Sequence, residues 1–349
     1  LYLIPILSDP LVYWDARSIW FFHAKMIFTA GTFGGEAGWL TAAVPATHRD
    51  YPKLIPVLAS QVAHIFGLWN EYLPKASLFF LLVPGITLLY STAKNNKDFI
   101  LLLFLIPFGL VNWLWNGLMD GYLTMYAAIS LILFGRFVKS VDFEEGLAGI
   151  LCLVLVTNIK NEGLLALLAG GSAVILTLLF FYRTKLTKLS NRDNARLLGL
   201  TCIGLIPMVI WMTIKHTWDL HNDLFTGNYL NKVIGHIYDN SYKLIIQSAL
   251  SETIGAILLA LFLAAMLFGK RKKLPIEILP ALITALLYGA GMMTIYLITP
   301  HDVAWHLSTS ADRTFSLVNA CLYVASYFLL HEFINTTETP ANSKTQATA

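Results

Sequence analysis

Apolar runs long enough to cross a bilayer recur along most of this 349-residue chain. They fall near residues 74–92, 99–115, 118–137, 144–158, 163–182, 197–215, 249–269, 275–298 and 313–332. A helix needs about 17–25 apolar residues to traverse the hydrocarbon core, and each window approaches that length. The short alternating segments of a β-barrel are absent from the pattern. The pattern predicts an all-α, polytopic transmembrane helix bundle of about nine visible spans, forming one domain over residues 1–332. Leu1 to Leu7 is apolar but too short to span, and it reads as the tail of a further, truncated N-terminal helix. Residues 333–349 are polar and low in complexity, as expected of a disordered cytoplasmic tail.

Polar interruptions give the bundle a direction. Four short linkers are basic: Lys94 and Lys97; Arg136 and Lys139; Arg183, Lys185, Lys188, Arg192 and Arg196; and Lys270 to Lys273. Short loops rich in Lys and Arg stay cytoplasmic. All four share one side only if the apolar segment Leu54–Trp69 lies at the interface without crossing. With that choice a long first loop and its interfacial helices (residues 8–72), a second long loop (216–248) and the stretches 116–121, 159–162 and 299–313 face outward.

Composition agrees with this picture and narrows it. Hydrophobic residues make up 56% of the chain and charged residues 13%, where soluble domains carry about 25% charged. A formal charge of +3 gives no reason to expect nucleic acid. Cys152, Cys202 and Cys321 all fall inside expected spans, without disulfide or metal spacing, and read as packing residues.

The candidate chemistry gathers on the expected outer face. Asp15 stands between Trp14 and the aromatic run Trp20-Phe21-Phe22; its ordinary role would be to cap the helix that follows. Ile19, Trp20, His23, Ala24 and Ile27 fit an interfacial helix with Arg17 and Lys25 reaching headgroups. His48-Arg49-Asp50-Tyr51-Pro52-Lys53 runs extended into a helix start, where free N–H groups beside a lysine favour a phosphate. Asp120, and Lys160 with Glu162, occupy tight turns between consecutive spans. Charge in hydrocarbon costs roughly 2.5–3.5 kcal/mol, so such residues mark a surface or a polar cavity. Lys160 and Glu162 could equally pair with each other. The last cluster holds His301, Asp302, His306, Asp312 and Arg313. Arg313 has the planar fork that suits phosphate, and the two histidines with Asp302 only weakly suggest a divalent metal. Trp218, His221, Asn222, Asp223, Asn228, Tyr229 and Asn231 in the second loop suit sugar contacts or plain solvation equally.

Trp14-Asp15-Ala16, His48-Arg49-Asp50-Tyr51-Pro52, Lys160-Asn161-Glu162-Gly163 and Trp305-His306-Leu307 through Ser310-Ala311-Asp312-Arg313 resemble the C-type integral-membrane glycosyltransferases. The nearest resemblance is to bacterial protein O-mannosyltransferase-like and aminoarabinose-transferase-like members. It implies transfer of a sugar from a polyprenyl-phosphate carrier to a lipid, glycan or protein acceptor, on the outer face of the bacterial inner membrane. Such a protein would serve cell-envelope synthesis. It places Asp15 as the general base acting on an acceptor hydroxyl, with Asp120 as a second catalytic residue. Lys53, Arg313, Lys160 and His306 become candidates for the donor phosphate. His48, Asp50, Tyr51, Glu162, His301 and Asp302 become candidates for sugar or acceptor contacts. The chain departs from the pattern at Lys53, where relatives often carry a second proline, and at Ala16, where many carry a second acidic residue. A divalent metal between paired carboxylates is correspondingly less favoured, and no other cofactor is implied.

Three other readings compete, and a non-catalytic membrane scaffold gives no reason for Asp15, Lys53 and Arg313 to share a face. A transporter would set ionisable residues at the midplane on broken helices, often in repeated halves; here they collect in loops and no repeat is visible. A lipid-linked glycan polymerase or ligase would rely on a large late loop, whereas the longest loop here comes first.

Overall fold

The computed structural model describes residues 3–34, 38–40, 47–93, 95–96, 98–102, 113–181, 190–222, 224, 227–270 and 273–337. Every regular element among them is helical. The N-terminal region contributes α1 (Leu3–Ser8), a π turn (Ala16–Trp20), α2 (Phe21–Ala30) and α3 (Leu54–Phe66). A 3-10 segment (Leu73–Leu78) then runs into α4 (Phe79–Ser91). The central part comprises α5 (Asp120–Ser140), α6 (Phe143–Leu155), α7 (Glu162–Phe181) and α8 (Asn191–Thr217). The remainder comprises α9 (Tyr229–Tyr238), α10 (Ser241–Gly269), α11 (Leu279–Leu297), α12 (Val303–Thr314) and α13 (Ser316–Thr337).

Seven helical stretches are long and apolar enough to cross a membrane: Leu73–Ser91, Asp120–Ser140, Glu162–Phe181, Asn191–Thr217, Ser241–Gly269, Ile276–Leu297 and Val303–Ile334. The chain is a helical, multi-pass membrane protein. Two expected spans are not among the seven. Most of 99–115 lies outside the described residues, and 144–158 forms the 13-residue α6 plus the 3-10 turn Val156–Asn158. The segment Leu54–Trp69 contains only the 13-residue α3, about 20 Å long. That is too short for a span, as its interfacial reading requires. The final helical unit begins at Val303 rather than Arg313, with a break at Phe315. α13 also continues to Thr337, taking in the first five residues of the expected tail, and 338–349 lie outside the described residues.

α5 is the axis of the bundle. Both of its faces are buried, and the polar side chains along its buried stretch have partners within the protein. Tyr122 donates to the Leu114 carbonyl at 2.6 Å and Tyr126 to that of Leu81 at 2.8 Å. Thr124 meets Ser316 at 2.9 Å, and Ser130 donates to the Gly149 carbonyl at 2.8 Å. Gly149 lets α6 approach this closely, because a Cβ there would press on the Phe134 ring at 2.8 Å. α8 is the opposite case: only Trp211 is buried along its 27 residues, as expected of a helix turned mostly toward lipid.

Three described members of the basic linkers, Arg136, Lys139 and Lys270, lie toward the end of the bundle where α5 finishes. Arg136 hydrogen-bonds the Thr92 carbonyl and the Tyr327 hydroxyl, Lys139 pairs with Glu277, and Lys270 stacks on Phe333. His331 lies 3.0 Å from the buried Asp98 at the same end. Lys94, Lys97, Arg183, Lys185, Lys188, Arg271 and Lys272 lie outside the described residues. The candidate chemistry sits at the other end.

Candidate functional site

Asp15 lies in helical conformation (φ −59°, ψ −44°), and its side chain makes no cap bond. A capping aspartate needs an extended backbone for its carboxylate to fold back onto the next turn. The expected cap is thus absent. The Asp15 carboxylate instead pairs with Arg313, from the last turn of α12.

The guanidinium of Arg313 also lies 3.6 Å from Asp120, the first residue of α5. Asp120 accepts from Lys160 at 2.8 Å, and Lys160 reaches Glu162, the first residue of α7, at 2.9 Å. Four distant segments thus close a chain of alternating charge: Asp15, Arg313, Asp120, Lys160, Glu162. Burial alone would lower the Lys160 ammonium, but Asp120 and Glu162 outweigh it and hold it above the ordinary lysine range. The two ends of the chain are the open ones. Asp15, Arg313 and Glu162 side chains are 21, 17 and 17% exposed, against 6% for Asp120 and 7% for Lys160. Glu162 keeps one carboxylate oxygen, Oε2, buried and without a hydrogen-bond partner.

Gly163 makes the turn behind this centre possible. A Cβ there would overlap the Val156 carbonyl oxygen, so α7 could not start this close to the 3-10 turn that ends α6.

A second polar cluster lies beside the first. Asp50 is 1% exposed, and its Oδ2 accepts from Asn161 at 2.5 Å and Asn222 at 3.0 Å, with Lys215 at 3.6 Å. Its carbonyl accepts from the Trp211 indole at 3.2 Å. Lys53 departs from its expected role as a phosphate contact. Its ammonium turns inward to the carbonyls of Arg49 (3.0 Å) and Tyr51 (2.5 Å), over the faces of Trp39 (4.6 Å) and Trp211 (4.8 Å). Burial drives its pKa well below the lysine range. His23 is wholly buried against Trp39, with neither ring nitrogen hydrogen-bonded, and burial followed by the charges of Lys53 and His48 lowers it to about 2.

Tyr51 stands between the clusters. Its ring stacks between His48 (5.1 Å) and Trp20 (5.4 Å), and Trp14 meets His48 edge-on. Burial, then Glu162, Asp50, Asp15 and Asp120, push its phenol well above the ordinary range. His48 holds the turn in left-handed conformation (φ 48°), with its carbonyl accepting from the Tyr51 amide at 3.0 Å.

The residues at the start of α12 are placed differently. Asp302 caps that helix, accepting from the Trp305 amide at 2.8 Å. One of its carboxylate oxygens thus serves the helix start. His301 packs on Trp305 and His306. His306 bonds Thr299 at 2.9 Å and meets Tyr296 edge-on, whose hydroxyl joins Ser310 and Thr314 beside Arg313. Among the described residues no three His, Cys, Asp or Glu side chains converge as a ligand set. In the charged centre the cations stand between the carboxylates.

Lys215 and Trp211 were not anticipated. They lie one helical turn apart on α8, and a cation and an indole at that spacing on an otherwise lipid-facing helix are the only signal the sequence offered. Asp223 lies outside the described residues, and Trp218 packs among Phe33 and Trp39.

No family model matches the chain, and no curated protein or solved structure matches it.

Proposed function

We propose that this chain is a glycosyltransferase that moves a sugar from a polyprenyl-phosphate carrier to an acceptor hydroxyl, with Asp15 as general base. The observation that carries the reading is the convergence of Asp15, Asp120, Lys160, Glu162 and Arg313 at one end of an apolar bundle. In the reaction, the acceptor oxygen attacks the anomeric carbon and its proton passes to the Asp15 carboxylate. The bond from that carbon to the phosphate oxygen breaks, and the carrier phosphate leaves with the electron pair. A positioned carboxylate typically supplies 10²–10⁴-fold in such a step.

Arg313 is the cation for the leaving phosphate, because it lies at the rim and can meet charge as it develops. Lys160, deeper and tied to two carboxylates, keeps Asp120 and Glu162 in place. Asp120 orients Arg313, and the unpartnered Oε2 of Glu162 is available to a sugar or acceptor hydroxyl. Tyr51, in its aromatic stack, supplies a neutral phenol next to the same carboxylates. Lys53 and Asp302 have no part in this scheme.

The end carrying these groups faces outward on this reading, since Arg136 and Lys139 of a basic linker lie at the other end of α5 and such linkers stay cytoplasmic. Bacterial inner membrane is the setting in which polyprenyl-phosphate sugars meet outward-facing acceptors. The charges favour this reading over a transporter because Asp120 and Glu162 begin their helices, well away from a midplane site. Mass analysis of envelope glycolipids and glycans from cells with and without the gene tests it. Loss of one sugar from one acceptor is expected, and an unchanged envelope would overturn it.

A further inference from the structure

α9 is turned inside out for a helix of a water-facing loop. None of its residues is buried. Its half-buried side carries Lys232, Val233 and His236, and Nδ1 of His236 donates to the Leu297 carbonyl at 2.8 Å. The side turned away from the protein is apolar: Leu230 is 72% exposed, Ile234 41%, Ile237 53% and Tyr238 83%. At helical spacing these four fall within an arc of about 100°, the width of a face that packs against something apolar.

The position of α9 says what that something is. It ends at Tyr238, and α10 begins at Ser241 after a break at Asn240, which takes a left-handed conformation (φ 64°). The exposed apolar side of α10 then continues through Ile246, Leu250, Ile254, Leu258 and Phe262. With 29 residues, α10 is about 43 Å long, against a hydrocarbon core of about 30 Å. Its first turns therefore stand in the headgroup region, which sets α9 at the same depth. The α10 surface from Lys243 past Ile246, Leu250 and Ile254 is open and mostly apolar. At ten residues α9 is too short to span.

We infer that α9 is an interfacial helix whose apolar stripe is immersed in outer-leaflet phospholipid. His236 ties it to the end of α11, a few residues before the helix that carries Arg313. The bilayer surface thereby fixes the height of that corner of the bundle. This contact holds whatever reaction the charged centre performs.

The test uses the full chain in nanodiscs of phosphatidylcholine and phosphatidylglycerol. They are doped with a phospholipid bearing a diazirine near the carbonyl end of its acyl chain, and adducts are mapped by mass spectrometry. Adducts on Leu230, Ile234 and Ile237 are expected at yields comparable to those on Leu250 and Ile254. The Ile234→Asp/Ile237→Asp variant should lose the α9 adducts and keep those of α10. Labelling of α10 without α9 in the wild-type chain would overturn the inference. If the discs then hold one chain each, α9 faces water; if they hold two cross-linked through α9, a second copy covers it.

Discussion

The two polar clusters use similar residues to opposite ends. Around Asp50 a carboxylate is sealed by amides, an indole and a lysine, and the neighbouring Lys53 is closed off by carbonyls and aromatic faces. Around Asp120 three carboxylates face two cations, and the outermost groups stay partly open to solvent. A buried charge with every neighbour committed holds segments together. A charge chain with open ends and an unpartnered carboxylate oxygen can accept a substrate. The first cluster clamps the 47–53 loop, the 158–162 turn and the end of α8; the second is held in place by that clamp through Asn161, which sits between Lys160 and Glu162.

The comparison breaks most visibly at Asp50. Asp50→Ala strands Lys215, Asn161 and Asn222, and removing one partner of a buried pair costs about 3–5 kcal/mol. A large fall in thermal midpoint in detergent is expected; an unchanged midpoint would mean Asp50 is no clamp. Gly163→Ala sets a Cβ in overlap with the backbone oxygen of Val156, so the Lys160–Glu162 turn must shift and the thermal midpoint must fall. A misplacement of about 1 Å costs about 10²-fold in rate, so sugar transfer should drop by that order while binding to membranes is kept.

Carrier binding separates the two clusters' cations. Arg313→Ala should weaken binding of a polyprenyl-phosphate sugar roughly ten- to a hundredfold, the worth of a hydrogen bond to a charged group. Lys53→Met should leave it unchanged. Equal losses in both variants would erase the distinction between the clusters.

A further effect concerns acid. His23 has a folded pKa of about 2 against an ordinary 6.5, so its neutral form contributes stability above pH 6.5. That contribution is lost as pH falls from 6.5 toward about 2, at up to roughly 1.4 kcal/mol per pH unit. His23→Phe should flatten the pH dependence of the thermal midpoint between pH 6.5 and 4. A dependence as steep as in the parent would place the titrating group elsewhere.

Much of the fold was legible because membrane helices announce themselves by length and apolarity. α5, α7, α8, α10 and α11 all fall on expected windows. What escaped was set by tertiary contacts. Asp15 stood out as a lone carboxylate in an aromatic loop, but whether it capped depended on a backbone angle that composition does not encode. Lys53 was found at the start of α3 as expected, yet the direction of a four-carbon stem is decided by Trp39 and Trp211, which come from elsewhere in the chain. Asp50 and Lys215 meet across nearly half of the sequence, so no spacing could pair them. The stripe Leu230, Ile234, Ile237 and Tyr238 was present at helical period but masked by the asparagines and histidines around it.

Asp15→Asn separates a general base from a merely structural carboxylate. The substitution keeps the shape of the side chain and removes the charge that would take the acceptor proton. Expressed in place of the parent chain, it should leave the envelope without the transferred sugar, as the gene deletion does, while the protein inserts and melts as before. The sugar present at its ordinary level in a cell whose only copy carries Asp15→Asn would contradict the account.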